Sequence, residues 1–244
     1  MKKKILILTG AGISRESGIL TFRDCEDGLW NDYKIEDVCT TQAWKDNREE
    51  VLEFYNARRK DLEDKVPNDG HKALVELEKY YDVTIVTQNV DDLHEQAGST
   101  NVIHLHGELT KSRSTVPPYE TYDIGYGEIN IGDKCPRGSQ IRPHVVFFGD
   151  PVPNMQEAMI VEYDILVVIG TSLQVYPAAG LVDYAFQDGK EVYAIDPVRP
   201  VGSLVDDDKF IKKPATEGCK ELLDILTPCP TAKEIIKKKN ETED

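Results

Sequence analysis

The sequence lacks any long hydrophobic run. Its strongest apolar stretch, Ile165–Ile169, has the length of a buried strand, far short of the roughly 20 residues that a membrane-crossing helix needs. A Cys-x-x-Cys pair is missing too. The five cysteines, Cys25, Cys39, Cys135, Cys219 and Cys229, are odd in number and scattered, which argues against a disulfide framework and against an all-thiol zinc site. Positive charge is in deficit: the net charge is −15, so nucleic acid and anionic membranes are not expected partners. An acidic surface suits cationic partners such as lysine-rich peptide segments, although acidity also simply serves solubility. Met1-Lys2-Lys3-Lys4 runs directly into a strand pattern with no leader-type apolar region, so a cytoplasmic location is expected. No internal repeat or low-complexity linker is present.

What is there is an ordinary globular composition, 244 residues with 40% apolar and 30% charged, enough for one large domain with a small insertion. Lys4–Thr9, residues 83–87, 102–105 and 145–148, Ile165–Ile169 and Glu191–Ile195 read as strands. Helical patterns cover parts of 41–65, 71–80, 155–163, 178–186 and 217–226. Strands alternating with helices predict an α/β fold, a Rossmann-like doubly wound parallel sheet. Periodicity is poor from 107 to 142, which predicts a smaller inserted module. The expected division is a core of about 1–34, 66–106 and 143–226, with the module from about 35–65 and 107–142, within a single domain spanning 1–244.

Thr9-Gly10-Ala11-Gly12-Ile13-Ser14 sits between a strand and a helix start, the context of a phosphate-binding turn. A structural βα turn would use glycines too. Gly170-Thr171-Ser172 follows another strand, where ligands bind in open α/β sheets. Asp196, ending a further strand, can accept a ribose hydroxyl or act as a turn aspartate before Pro197.

Several segments in order resemble the sirtuins, the NAD-consuming protein deacylases. They are Gly10-Ala11-Gly12-Ile13-Ser14 continuing through Glu16-Ser17-Gly18-Ile19 to Thr21-Phe22-Arg23, then Thr87-Gln88-Asn89-Val90-Asp91 with Leu93-His94 and Ala97-Gly98, then Leu105-His106-Gly107. Arg142-Pro143-His144-Val145-Val146-Phe147-Phe148-Gly149-Asp150 follows, then Gly170-Thr171-Ser172-Leu173 and Val175-Tyr176-Pro177-Ala178. The resemblance runs from about residue 5 to about 225. It implies that an acyl-lysine oxygen displaces nicotinamide from NAD and that a histidine acts as base on the ribose hydroxyls. The products are nicotinamide, free lysine and O-acyl-ADP-ribose, and the scheme needs no metal.

By the same resemblance His106 is the base, and Asn89 and Asp91 hold the nicotinamide and its ribose. Gly10, Ala11, Gly12, Ser14, Arg23, Gln88, Gly170, Thr171, Ser172 and Asp196 face the rest of NAD. Phe148, Gly149, Val175 and Tyr176 sandwich the acylated peptide as an added strand. Tyr55 and Arg58, three apart on a predicted helix, share a face and resemble the subgroup that removes succinyl and malonyl groups. A guanidinium and a hydroxyl suit a carboxylate. Read as bare residues, Asp91 is equally a helix cap, and Arg58 one of several solvated charges.

Three departures from the family pattern stand out. The family's two Cys-x-x-Cys pairs are absent: the interval before Arg142 holds only Cys135. The module is therefore expected to fold without zinc, around Tyr119, Tyr122, Ile124, Tyr126 and Ile129. Asp196 stands where Asn is common. The strand ending at Asp150 lacks the usual Trp and Glu. The expected partners are acylated lysines of proteins or peptides, and the expected state is a monomer. Competing functions are an NAD-dependent mono-ADP-ribosyltransferase and a non-catalytic NAD- or ADP-ribose-binding protein. A dehydrogenase has only the glycine turn in its favour.

Overall fold

The computed structural model describes residues 2–19, 33–200 and 205–227. Along the chain come β1 (Lys4–Thr9), α1 (Ile35–Val38), α2 (Thr41–Asp46), α3 (Arg48–Leu62) and α4 (Asp69–Leu77). Next are β2 (Asp82–Thr87), α5 (Leu93–Ala97), β3 (Val102–His104), β4 (Gly107–Ser114), β5 (Thr121–Asp123) and β6 (Ile141–Val145). The last are α6 (Met155–Ile160), β7 (Ile165–Ile169), α7 (Gly180–Gln187), β8 (Glu191–Ile195), β9 (Phe210–Ile211) and α8 (Ala215–Leu226). No described helix is long and apolar enough to cross a membrane.

Among the described residues, β3-β2-β1-β7-β8-β9 form one parallel sheet. Its central strands are aliphatic on both faces because both faces are covered. Ile5 and Ile7 with Val83, Ile85, Ile165 and Val167 pack against Leu74 and Leu77 of α4 and Cys219 and Leu222 of α8. Leu6 and Leu8 with Val86, Leu166 and Val168 pack against Ala158 of α6 and Leu181, Val182 and Ala185 of α7. Period-two alternation thus builds the two layers of a doubly wound, Rossmann-like α/β fold.

A separate antiparallel sheet, β5-β4-β6, packs with α1–α3 around Val51, Phe54, Tyr55, Leu109, Ile129, Val145 and Phe147. Buried Arg59 joins the two parts. Its Nε–H donates to the Leu109 carbonyl (2.6 Å) and its Nη1 to Asn56 Oδ1 (2.8 Å), while Asn56 exchanges bonds with the Ile129 backbone (2.9 and 3.0 Å). The centre of this module differs from the sequence expectation. Ile129 is fully buried, and Ile124 and Tyr126 pack against the cluster, but Tyr119 is exposed and Tyr122 bonds Glu120 at the surface. The reason is that β5 is a short edge strand. Trp44, Phe54, Tyr55 and Phe147 fill the centre instead.

The strand expected over 145–148 is displaced: β6 ends at Val145. Residues 146–148 stay extended but change partners. The Val146 amide donates to the His106 carbonyl (2.9 Å), the Phe148 amide to Cys39 (2.8 Å), and Thr41 donates back to Phe148 (3.0 Å). Val145 and Phe147 point into the core while Phe148 is 56% exposed.

Candidate active site

Two strand ends meet at the point where the sheet order reverses. The Gly10 amide donates to the Ile169 carbonyl (3.0 Å) and the Gly12 amide to Gly170 (2.9 Å). A Cβ on Gly12 would lie 2.6 Å from the Gly170 Cα, and Gly170 itself has φ +61°. Only glycines allow this backbone contact. These two amides are therefore committed to the β7 turn.

In front of the turn lies a cleft of about 1480 Å³. Gly10, Ala11, Gly12, Gln88, Asn89, Asp91, His106, Gly170, Thr171, Ser172 and Asp196 line it, as do Tyr55, Arg58, Phe148, Gly149, Val175 and Tyr176. The structure brings these sequence-predicted residues together. Arg23 lies outside the described residues. Ser14 does not reach the wall: it is fully buried, donating to Asp91 Oδ2 (3.0 Å) and accepting from Asn89 Nδ2 (3.1 Å). Asn89 Nδ2 also lies 3.2 Å from the Gly10 carbonyl. Ser14 therefore ties the Asn89–Asp91 segment to the glycine turn. Burial pushes the Asp91 carboxyl up to about 6, against the pull of the Ser14 hydroxyl and the Leu93 amide.

His106 is held by one nitrogen. Its Nδ1–H donates to the Gln88 carbonyl (2.9 Å), which fixes the neutral tautomer and leaves Nε2 as the basic atom. Burial lowers its pKa, and the bond to Gln88 opposes this only in part. The imidazole is therefore available as a base at neutral pH. Gln88 Oε1 accepts from Thr171 Oγ1 (2.8 Å), linking the ends of β2 and β7.

On the opposite side, Tyr55 is buried with its hydroxyl toward Cys39 Sγ (3.6 Å). The Arg58 guanidinium sits 5.7 Å from the Phe54 ring centre, at the wall of the cleft. Arg59, the next residue, is fully buried and structural. Gly149 has φ +98°, and a Cβ there would meet Thr41 Oγ1 at 2.7 Å. The turn it makes is clasped by Asp150, which pairs with Arg142 and accepts from the Phe147 amide (3.2 Å). Phe148, bridged to Thr40, and Tyr176, in the turn that leads into α7, are 56% and 69% exposed, so both segments lie open to solvent. Asp196 Oδ1 accepts from the Val198 amide (2.9 Å), an Asx-type turn, yet the residue still lines the cleft.

Several wall residues carried no sequence signal. Cys39 is a loop cysteine, and Pro214 and Ala215 arrive from the start of α8. Glu16, on the same wall, accepts from the Thr216 amide (2.9 Å) and hydroxyl (2.6 Å). The α8 residues meet the turn only through tertiary folding, about 200 positions apart in sequence. Among the described residues, no three His, Cys, Asp or Glu side chains gather to hold a metal ion.

This geometry has counterparts among known proteins. The family model described as Sir2 family matches residues 10–177. An NAD-dependent protein deacylase of Aggregatibacter actinomycetemcomitans is 55% identical over 199 residues, covering 81% of this chain and 94% of that protein. One of Bacteroides thetaiotaomicron is 48% identical over 236 residues, covering 93% and 100%. A Sir2 homologue–NAD complex superposes with a TM-score of 0.82 at 38% identity, covering 92% of this chain and 89% of that one. A Sir2 homologue mutant bound to ADP-ribose gives 0.83 at 37% identity, covering 93% and 96%. With the family model spanning more than half of its length and close relatives matching nearly end to end, this chain belongs to the Sir2 family.

Proposed function

We propose that this chain is an NAD-dependent protein deacylase that removes acyl groups from protein lysines, giving nicotinamide and O-acyl-ADP-ribose. One observation carries the reading: a histidine with a single free basic nitrogen shares one cleft with a buried Asn–Asp pair and a glycine turn at the sheet's switch point. The residues fit a dinucleotide: the Gly10, Gly12 and Gly170 crossing brings the β1 and β7 turns into backbone contact at the switch point, and the cleft in front of it is walled by Gln88, Thr171, Ser172 and Asp196. Bound NAD supplies the electrophilic sugar carbon and the nicotinamide leaving group.

The protein's own residues do the rest. Gly10, Ala11, Gly12, Arg23, Gln88, Gly170, Thr171, Ser172 and Asp196 are assigned to the dinucleotide, with Ser14 acting from behind. Asn89, whose Nδ2 is committed to Gly10 and Ser14, offers its Oδ1 as acceptor to a carboxamide N–H, while Asp91 takes a sugar hydroxyl. His106 Nε2 takes the proton of a ribose hydroxyl. The edges at Phe148–Gly149 and Val175–Tyr176 hold the peptide backbone between them. Tyr55 and Arg58 are assigned to the acyl end and favour succinyl or malonyl over acetyl. The chain is read as a cytoplasmic monomer forming one catalytic domain over 1–244, because residues of both the large sheet and the small module line its cleft.

The test is incubation with NAD and an acyl-lysine peptide, read by mass spectrometry. Free lysine with nicotinamide release is expected, with loss of about two to four orders of magnitude in His106→Ala. A peptide that gains the mass of ADP-ribose would instead identify a transferase. Unchanged release in His106→Ala would remove the base assignment.

A further inference from the structure

We propose that His104, paired with Glu95, is a cationic positioning residue that holds the Gln88–Asn89 turn and hence the Asn89 and Asp91 side chains. The inference rests on the reading of those two residues as the cofactor-holding pair. Three successive carbonyls of the turn after β2 are each held from one short segment. Thr87 accepts from the Leu105 amide (2.9 Å), Gln88 from His106 Nδ1 (2.9 Å) and Asn89 from His104 Nδ1 (3.0 Å). Residues 104–106 therefore grip residues 87–89 one to one, and His104 holds the position nearest the Asn–Asp pair.

The charge follows from donors and acceptors. A carbonyl cannot donate, so His104 Nδ1 carries a proton. Nε2 faces Glu95 Oε1 at 2.9 Å, and a carboxylate only accepts, so Nε2 carries one too. The alternative, a protonated Glu95, would neutralise a carboxyl whose side chain is 42% exposed, which is costly near neutral pH. Buried His104 is thus an imidazolium. The groups facing it are Glu95 from α5, Glu108 from β4, and Asp91 and His94. The Asn154 side chain of the α6 N-terminus donates to its backbone carbonyl (2.8 Å). Burial lowers the His104 pKa, but the bond and charge of Glu95, helped by Glu108, outweigh this and raise it. The cation in turn favours the ionised form of Asp91 and the neutral form of His94. His104 touches no substrate and acts through the turn.

The test uses the full chain. Ring-nitrogen NMR at pH 7 is expected to show protons on both nitrogens of His104 and on one of His106. His104→Ala is expected to raise the KM for NAD about tenfold, the worth of one hydrogen bond to a charged group, with the peptide KM unchanged. His104→Asn, whose Nδ2 replaces the ring Nδ1–H but neither the charge nor the Glu95 bond, should recover only part of that loss and should remove the alkaline dependence. Because the His104 pKa is raised, its contribution is full at low pH and lost as pH rises. Glu95→Gln should move the alkaline fall of kcat/KM for NAD to lower pH. A single ring proton on His104 at pH 7, or an unchanged NAD KM in His104→Ala, overturns the proposal. If His106→Ala turns over nicotinamide at an unchanged steady-state rate, the active-site reading fails instead, while the NMR result on His104 stands by itself.

Discussion

Neighbouring residues of one composition meet opposite fates in this protein. Arg58 reaches the cleft wall while Arg59 is sealed into the module and spends its guanidinium on Leu109 and Asn56. Burial lowers the Arg59 pKa to about 10, so it stays charged at neutral pH and ties α3 to β4. The two histidines of His104-Leu105-His106 divide in the same way, one bonded at both nitrogens and one at a single nitrogen. At this scale the test of acyl preference is Arg58→Met. If the guanidinium meets an acyl carboxylate, kcat/KM on a succinyl-lysine peptide should fall at least tenfold, the worth of a charge-assisted hydrogen bond. Activity on the acetyl peptide should hold. An unchanged succinyl rate would remove Arg58 from the acyl pocket.

Elements bring the site together by crossing at close range. β1 lies between β2 and β7, so the turns after all three emerge side by side. Gly12 touches Gly170, Ser14 touches Asp91, and Gln88 touches Thr171. The β1 and β7 turns meet through backbone, and the cost of a side chain there is steric. Gly170→Ala would place a Cβ 2.6 Å from Gly12 at a left-handed φ. The expected result is a loss of stability of about 2 kcal/mol or more, seen as a lower urea midpoint, together with weakened NAD binding. Gly125→Ala, in open space at a similar φ of +55°, is the control: it bears the backbone strain alone and should leave NAD binding intact.

The whole molecule carries an acid liability in its core. His71 and His94 are fully buried with their rings stacked edge to face at 5.0 Å. Burial lowers His71 to about 4 and holds His94 well below its ordinary value. A histidine kept neutral in the fold gives its full stability above the unfolded value of about 6.5 and loses it as pH falls toward the folded value, by about 1.4 kcal/mol per pH unit. His144, lowered to about 4 mainly by burial, adds in the same direction. Asp91, raised to about 6, works oppositely and offsets about one of the three. Stability should therefore fall by roughly 3 kcal/mol per pH unit at its steepest below pH 6. Urea midpoints at pH 7 and pH 5 check this, and equal midpoints would contradict it.

The sequence by itself determined the layers and the chemistry at hand. Continuous aliphatic runs such as Ile5-Leu6-Ile7-Leu8 read as strands buried on both faces, Gly10 and Gly170 stood out by local context, and Asn89, Asp91 and His106 by the resemblance to the sirtuins. Only the tertiary structure decided which atoms meet. It set Ser14 behind the cleft wall as a buried link, placed the Asn89 carbonyl on His104, and delivered Cys39 and Ala215 to the cleft. It also handed residues 146–148 from a β6 ladder to His106 and Cys39. The physical reason is range. Strand propensity and glycine turns depend on neighbours a few residues apart, whereas the Ser14–Asp91 bond, 77 positions apart in sequence, and the Gly12–Gly170 contact exist only once β1 has been enclosed by β2 and β7.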